Sequence, residues 1–345
     1  MIRRDIRSFF VWVRSSQIPL YITPIYIIAG ILILGYRPYL HVYVMSFAVR
    51  LFYVGVMWGQ APGWSGAMPH KITSSLVASA EVLAAFMVLI DPWFIDLHGL
   101  SWQILLWVGS IAHAAQYFPR GLGRTMRTAP NILTVAGLLY SLTTPWTKYM
   151  GILVFPLASV LSLLLRVDPT KRKMKITVNH VLIFTLVFIV SVVAPIIVSS
   201  RDIYKLYLLP LTILFFFLPK VGGGDIYLIG TSISKIIALL SFPLSFFFSW
   251  SVSIHIALIG FLAITMASLC TPLLIPGIIW REIPKLDRSE IYFIVSLGLL
   301  STFLRGLGGF THLIPLVILS GLLVIILTLY YVYKILKMPK VPVVF

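Results

Sequence analysis

The chain has 345 residues, of which 59% are hydrophobic and only 11% charged, with a formal net charge of +17. Soluble domains carry about a quarter charged residues, so this composition excludes a water-soluble globule. It also excludes a nucleic-acid partner, because the basic residues lie in short loops beside apolar runs, where the positive-inside rule puts them.

Twelve apolar runs follow one another with short polar breaks. They fall near 17–35, 39–59, 73–90, 101–119, 129–146, 149–165, 177–199, 204–219, 225–248, 252–279, 289–304 and 310–334. A spanning helix needs about 20 mostly apolar residues, and 204–219 and 289–304 are short for that. The expected fold is an all-α polytopic membrane protein of about twelve transmembrane helices. Arg3, Arg4, Arg7 and Arg14 precede the first run and put the N-terminus in the cytoplasm. Alternation from there keeps most basic loops inside, including Lys71, the Arg120–Arg127 cluster, the Arg166–Lys175 cluster, Lys220, Lys285 and the tail Lys334, Lys337 and Lys340. An even span count follows, with both termini cytoplasmic in the cell membrane. The first run contains Pro19 and Pro24 and lacks a small-x-small cleavage site, so it reads as a retained span. Pro210, Pro243, Pro272 and Pro276 inside later runs suggest kinks rather than ends. One cysteine, Cys270, excludes an internal disulfide framework and a multi-cysteine metal site.

Acidic residues are scarce. Asp91 and Asp96 flank an outer loop, and Asp5, Asp202, Glu282, Asp287 and Glu290 read as loop charges. Arg50 and Glu81 lie inside runs, where an ionisable group needs a partner or a wet cavity. They read as a structural ion pair or as the key residues of a transporter or channel. Asp168 follows one run, and Asp225 opens another two crossings later behind Gly222, Gly223 and Gly224. Both acids therefore fall on the cytoplasmic side. Taken singly, Asp225 is a helix cap and Asp168 an Asp-Pro turn. Taken together, two close carboxylates share a proton, so one serves as base towards water and the other as acid. The glycines would let a substrate backbone approach.

At these residues the chain resembles the prepilin and preflagellin peptidases, membrane aspartic proteases marked by Gly-x-Gly-Asp. Gly222-Gly223-Gly224-Asp225 fits that motif, and Asp168 with Lys171-Arg172-Lys173 behind it looks like the family's first aspartate, 57 positions earlier. The resemblance covers roughly 147–334 and departs at Met174–Asn179, which lacks an Ile-Pro-Asn-like run, and at Tyr227, where many members have Lys. It implies catalytic Asp168 and Asp225 and no metal or organic cofactor. It also implies cleavage of class III signal peptides on pilin-like or archaellin precursors, the expected partners together with membrane lipid. Without paired Cys-x-x-Cys motifs the chain looks like the archaeal, non-methylating members. Presenilin-type enzymes are less similar, since Val167 replaces their Tyr before the first aspartate and Pro284-Lys285-Leu286 only loosely resembles their Pro-Ala-Leu. Glu282, Asp287 and Glu290 are candidate contacts for the basic leader. The expected division is an N-terminal helical module over 1–146, of no assigned role, and a peptidase-like domain over 147–345. The alternatives are the transporter or channel and a catalytically silent homologue acting in assembly.

Overall fold

The computed structural model describes residues 6–90, 100–118, 128–166, 178–198, 201–217 and 227–341. The secondary structure of these residues is all helical, with no strand among them beyond an isolated antiparallel bridge between Arg281 and Lys340. All twelve apolar runs coincide with helical structure. Among the described residues, six segments are long and apolar enough to cross a membrane: Arg7–Ile33, Pro38–Ser65, Lys71–Ile90, Trp250–Ser268, Arg288–Thr311 and Ile314–Lys337. The chain forms two compact units, Met1–Arg166 and Val167–Phe345.

The first unit holds α1 (Ile6–Ile33), α2 (Pro38–Ser65), α3 (Lys71–Ile90), α4 (Leu100–Ala115), α5 (Thr128–Tyr140), the short α6 (Thr144–Thr147) and α7 (Tyr149–Arg166). Its centre is α2, which lies against α1, α3 and α7. Tyr43, Val44, Phe47 and Leu51 of α2 pack with Ala84 and Val88 of α3 and Trp102 and Leu106 of α4. Polar side chains tie the helices where apolar packing alone has no preferred register. Trp12 Nε1 donates to the Trp58 carbonyl at 2.8 Å, and Thr134 Oγ1 of α5 donates to Ser162 Oγ of α7 at 3.0 Å. In α2, Gly66 takes the left-handed cap position (φ 70°) and its N–H bonds the Pro62 carbonyl, a conformation that costs glycine little. The units divide at 166/167, whereas the sequence places its division at 146/147. The α7 helix stays with the first unit because its apolar face meets α2 and α5.

The second unit holds α8 (Val178–Ile197), a 3₁₀ stretch Arg201–Leu208 continued by α9 (Leu209–Phe217), and α10 (Tyr227–Ser245). A long segment follows, made of α11 (Trp250–His255), π-helical stretches Ile256–Ala263 and Met266–Cys270, and α12 (Thr271–Ile278). It ends with α13 (Arg288–Thr311) and α14 (Ile314–Lys337). The segment 201–217 lies against both α8 and α10. It counts fewer residues than α8, 8 plus 9 against 20. A 3₁₀ turn rises about 2.0 Å per residue against about 1.5 Å for an α-helix, so both reach about 30 Å. Pro210 and Pro272 each sit in the first turn of a new α-helix, where the hydrogen-bond register changes from 3₁₀ or π to α. Proline has no N–H to donate, so it is accommodated where that register changes. Helix α10 continues through Pro243 and α12 through Pro276. Close approach of α10 to the π-helical segment depends on Gly230, since a Cβ there would lie 2.4 Å from Ser268 Cβ.

Candidate functional site

Asp168, Asp225, Gly222, Gly223 and Gly224 lie outside the described residues. Their helical neighbours are described: α7 ends at Arg166 and α10 opens at Tyr227. Between them, α8 and the 201–217 segment are joined over 198–200 and packed against each other. A connection that short makes consecutive packed helices an antiparallel pair. The chain therefore enters and leaves this pair at one end.

The three acids expected to meet a basic leader sit around the start of α13. Two of them are used by the helix itself. Asp287 is its N-cap and accepts the Glu290 N–H on Oδ1 at 2.8 Å, while Glu290 Oε2 accepts the Asp287 N–H at 3.0 Å. This reciprocal capping box satisfies two donors that a helix start leaves free. The Glu290 N–H and the Ser289 hydroxyl hold the Asp287 carboxyl below the usual carboxylate range, because both bonds favour its charged form. Glu290 also pairs with Lys334 of α14 and accepts the Tyr330 hydroxyl at 2.8 Å. Glu282 is different. Its backbone N–H bonds the Pro339 carbonyl at 3.1 Å, and its exposed carboxylate makes no ion pair among the described residues. Of the three, Glu282 is the one whose carboxylate takes no part in the start of α13.

The strongest polar constellation lies inside the first unit. Arg50 of α2 and Glu81 of α3 are both fully buried and form a two-pronged pair. Arg50 Nε donates to Glu81 Oε2 at 2.7 Å and Nη2 to Oε1 at 2.7 Å. Nη2 also donates to Ser110 Oγ of α4 at 2.7 Å, and Nη1 to Ser141 Oγ after α5 at 2.8 Å. The remaining N–H points to the Ile152 carbonyl of α7 at 3.5 Å. A guanidinium has five N–H donors, and each has an acceptor here. The cation also lies over the Phe155 ring, 5.2 Å from its centroid. Gly109 lets α4 reach this pair, since a Cβ there would stand 2.9 Å from Glu81 Cγ. One residue thus joins α2, α3, α4, α7 and the turn after α5. Of the two readings of Arg50 and Glu81, the geometry fits the structural ion pair: charge and hydrogen bonds are closed on themselves, with no donor left for a passing ion.

Ser110, Ser141 and His113 escape a search for charged residues. His113 is fully buried one turn from Ser110, against Trp58, Tyr117 and Phe155, with ring centroids 4.9, 6.1 and 5.6 Å away. Neither ring nitrogen has a hydrogen-bond partner among the described residues. The signal available in sequence was an ionisable residue within an apolar run, the same signal that marked Glu81. It applies equally to Lys235, which is buried within α10. Among the described residues no three His, Cys, Asp or Glu side chains are grouped so as to hold a metal ion. Compared with protein-family models, curated proteins and solved structures, the chain matches none of them.

Proposed function

We propose that this protein is a membrane aspartic endopeptidase of the prepilin-peptidase type. It cleaves class III signal peptides from pilin-like or archaellin precursors at the cytoplasmic face of the cell membrane. The observation that carries the reading is the pair of acids: Asp168 beside Lys171-Arg172-Lys173, and Asp225 behind three glycines. The helical pair between them supports it. Two stretches of about 30 Å each match the hydrocarbon thickness of a bilayer and return the chain to the membrane face it left. Twelve crossings and cytoplasmic termini belong to the same reading and rest on the run count and the loop charges.

The chemistry follows from the two environments. Asp225 precedes the N-terminus of α10, where free N–H groups and the helix dipole favour a carboxylate. Asp168 follows the C-terminus of α7, where the dipole favours the protonated acid, although Lys171 and Arg172 pull the other way. Asp225 takes a proton from water while the water oxygen bonds to the scissile carbonyl carbon. Asp168 gives its proton to the carbonyl oxygen. On collapse of the tetrahedral diol, that proton returns to Asp168. The C–N bond breaks, and the leaving nitrogen receives the proton held on Asp225. Glu282, whose carboxylate takes no part in the start of α13, is the acid suited to the basic leader.

The test is cleavage of a pilin-like precursor by the purified protein, read by mass spectrometry of the released leader. Wild type should cut at the junction of leader and hydrophobic helix, and Asp168→Asn and Asp225→Asn should each abolish product. Cleavage by Asp225→Asn at the wild-type rate would overturn the reading. So would the absence of product from wild type across pilin-like and archaellin precursors, the outcome expected of a silent homologue.

A further inference from the structure

The surface of the first unit carries a cavity of about 600 Å³ between α1 and α3. Small-molecule sites measure about 300–1,000 Å³. Its floor is low because α3 presents Ser75, Ala78 and Ser79 there. Its walls are otherwise apolar, formed by Phe10, Val11 and Ile18 of α1 and Val82 and Leu83 of α3. Both helices are joined to α2 by short connections and pack along it, so they run in the same direction. On α3 the serines therefore lie nearer the N-terminal end of the groove than Val82 and Leu83, and on α1 Arg14 stands between Phe10 and Val11 on one side and Ile18 on the other. The Ser79 hydroxyl is occupied by the Ser75 carbonyl at 2.7 Å. Arg14 is not so occupied. It is exposed, and Nη1 donates to the neutral Gln17 Oε1 at 3.1 Å, with no carboxylate partner among the described residues.

We propose that this groove binds an anionic phospholipid, its acyl chain against Ile18, Val82 and Leu83 and its phosphate on Arg14. The inference is independent of the peptidase reading. The charge selects the occupant. A guanidinium offers a fork of N–H donors that matches phosphate, and a long side chain on a spanning helix extends its head to the headgroup layer. Arg14 belongs to the basic N-terminal flank, which faces the leaflet richer in anionic lipid. A hydrophobic helix led by basic residues is the poorer occupant, because Arg14 repels it.

The test uses the full chain in detergent micelles titrated with phosphatidylglycerol or phosphatidylcholine of identical acyl chains, with bound lipid counted by native mass spectrometry. Wild type should retain phosphatidylglycerol about fivefold more tightly, the effect of one basic residue at a lipid surface. Arg14→Gln should bring the two lipids level, and Arg14→Lys should restore most of the preference. Ala78→Phe, which fills the groove, should lower retention of both. A second readout does not depend on the filled variant folding. A fluorophore on Ser79→Cys should be quenched more by brominated phosphatidylglycerol than by its phosphatidylcholine counterpart, and inorganic phosphate should not compete. Equal retention of both lipids by wild type, or an unchanged preference in Arg14→Gln, would overturn the proposal. So would quenching indifferent to headgroup, or crosslinking of Ser79→Cys to a protein helix in place of lipid.

Discussion

Replacing Arg50 by methionine keeps an unbranched apolar stem and removes the charge and all five donors. The Glu81 carboxylate is then left fully buried with its partner gone, while Ser110 and Ser141 each lose an acceptor role. Breaking a buried pair from one side costs about 3–5 kcal/mol, because the remaining charge is uncompensated. Replacing both partners by apolar residues of similar volume is far less costly. Arg50→Met and Glu81→Met should therefore each lower stability by about 3–5 kcal/mol, and the double variant should cost no more than either single one. The implied coupling is at least about 3 kcal/mol, at the upper end of the 0.5–3 kcal/mol usual for neighbours. Reversible unfolding in mixed micelles, followed by circular dichroism, measures all four corners of the cycle. If Arg50→Met stays within about 1 kcal/mol of wild type, or if the double variant costs the sum of the singles, Arg50 is not the hub of this unit.

Gly109→Ala should destabilise by about 1–3 kcal/mol, the usual cost of overpacking. Its Cβ would meet Glu81 Cγ at 2.9 Å, and that side chain is held by Arg50 through both oxygens; thermal unfolding indistinguishable from wild type would show that α4 can shift away. The α13 cap should be acid-sensitive. The Asp287 carboxyl lies below its ordinary value in the folded protein, with Ser289, Glu290 and Lys334 around it. Its contribution is thus complete above the ordinary carboxylate pKa of about 3.9 and is lost as pH falls through the lower folded value. Hydrogen exchange at the Glu290 amide should speed up at that acid end relative to the interior of α13, and Asp287→Asn should flatten the dependence; equal protection of wild type across the range would refute it. Cleavage lost in Asp225→Asn and lipid preference lost in Arg14→Gln complete the set.

The helices themselves were legible in the sequence, because a bilayer-compatible helix is a local property: an apolar run such as 73–90 becomes α3, Lys71–Ile90, almost unchanged. The capping box was equally local, Asp287 three residues before Glu290, and that spacing alone explains why two of the acids expected at a leader also hold the start of α13. The conversion of 201–208 to a 3₁₀ helix was not legible, since no propensity separates it from an α-helix of the same composition. Arg50 and Glu81 were visible as misplaced charges, but their setting was not. Their partners Ser110, Ser141 and Ile152 lie 60, 91 and 102 positions from Arg50, and nothing in a serine's neighbourhood announces that an arginine will meet it. The allegiance of α7 and the groove over Ser75, Ala78 and Ser79 were decided the same way. Helix existence depends on hydrogen bonds between residues four apart, whereas these features depend on which faces meet once the helices pack, and only the tertiary structure settles that.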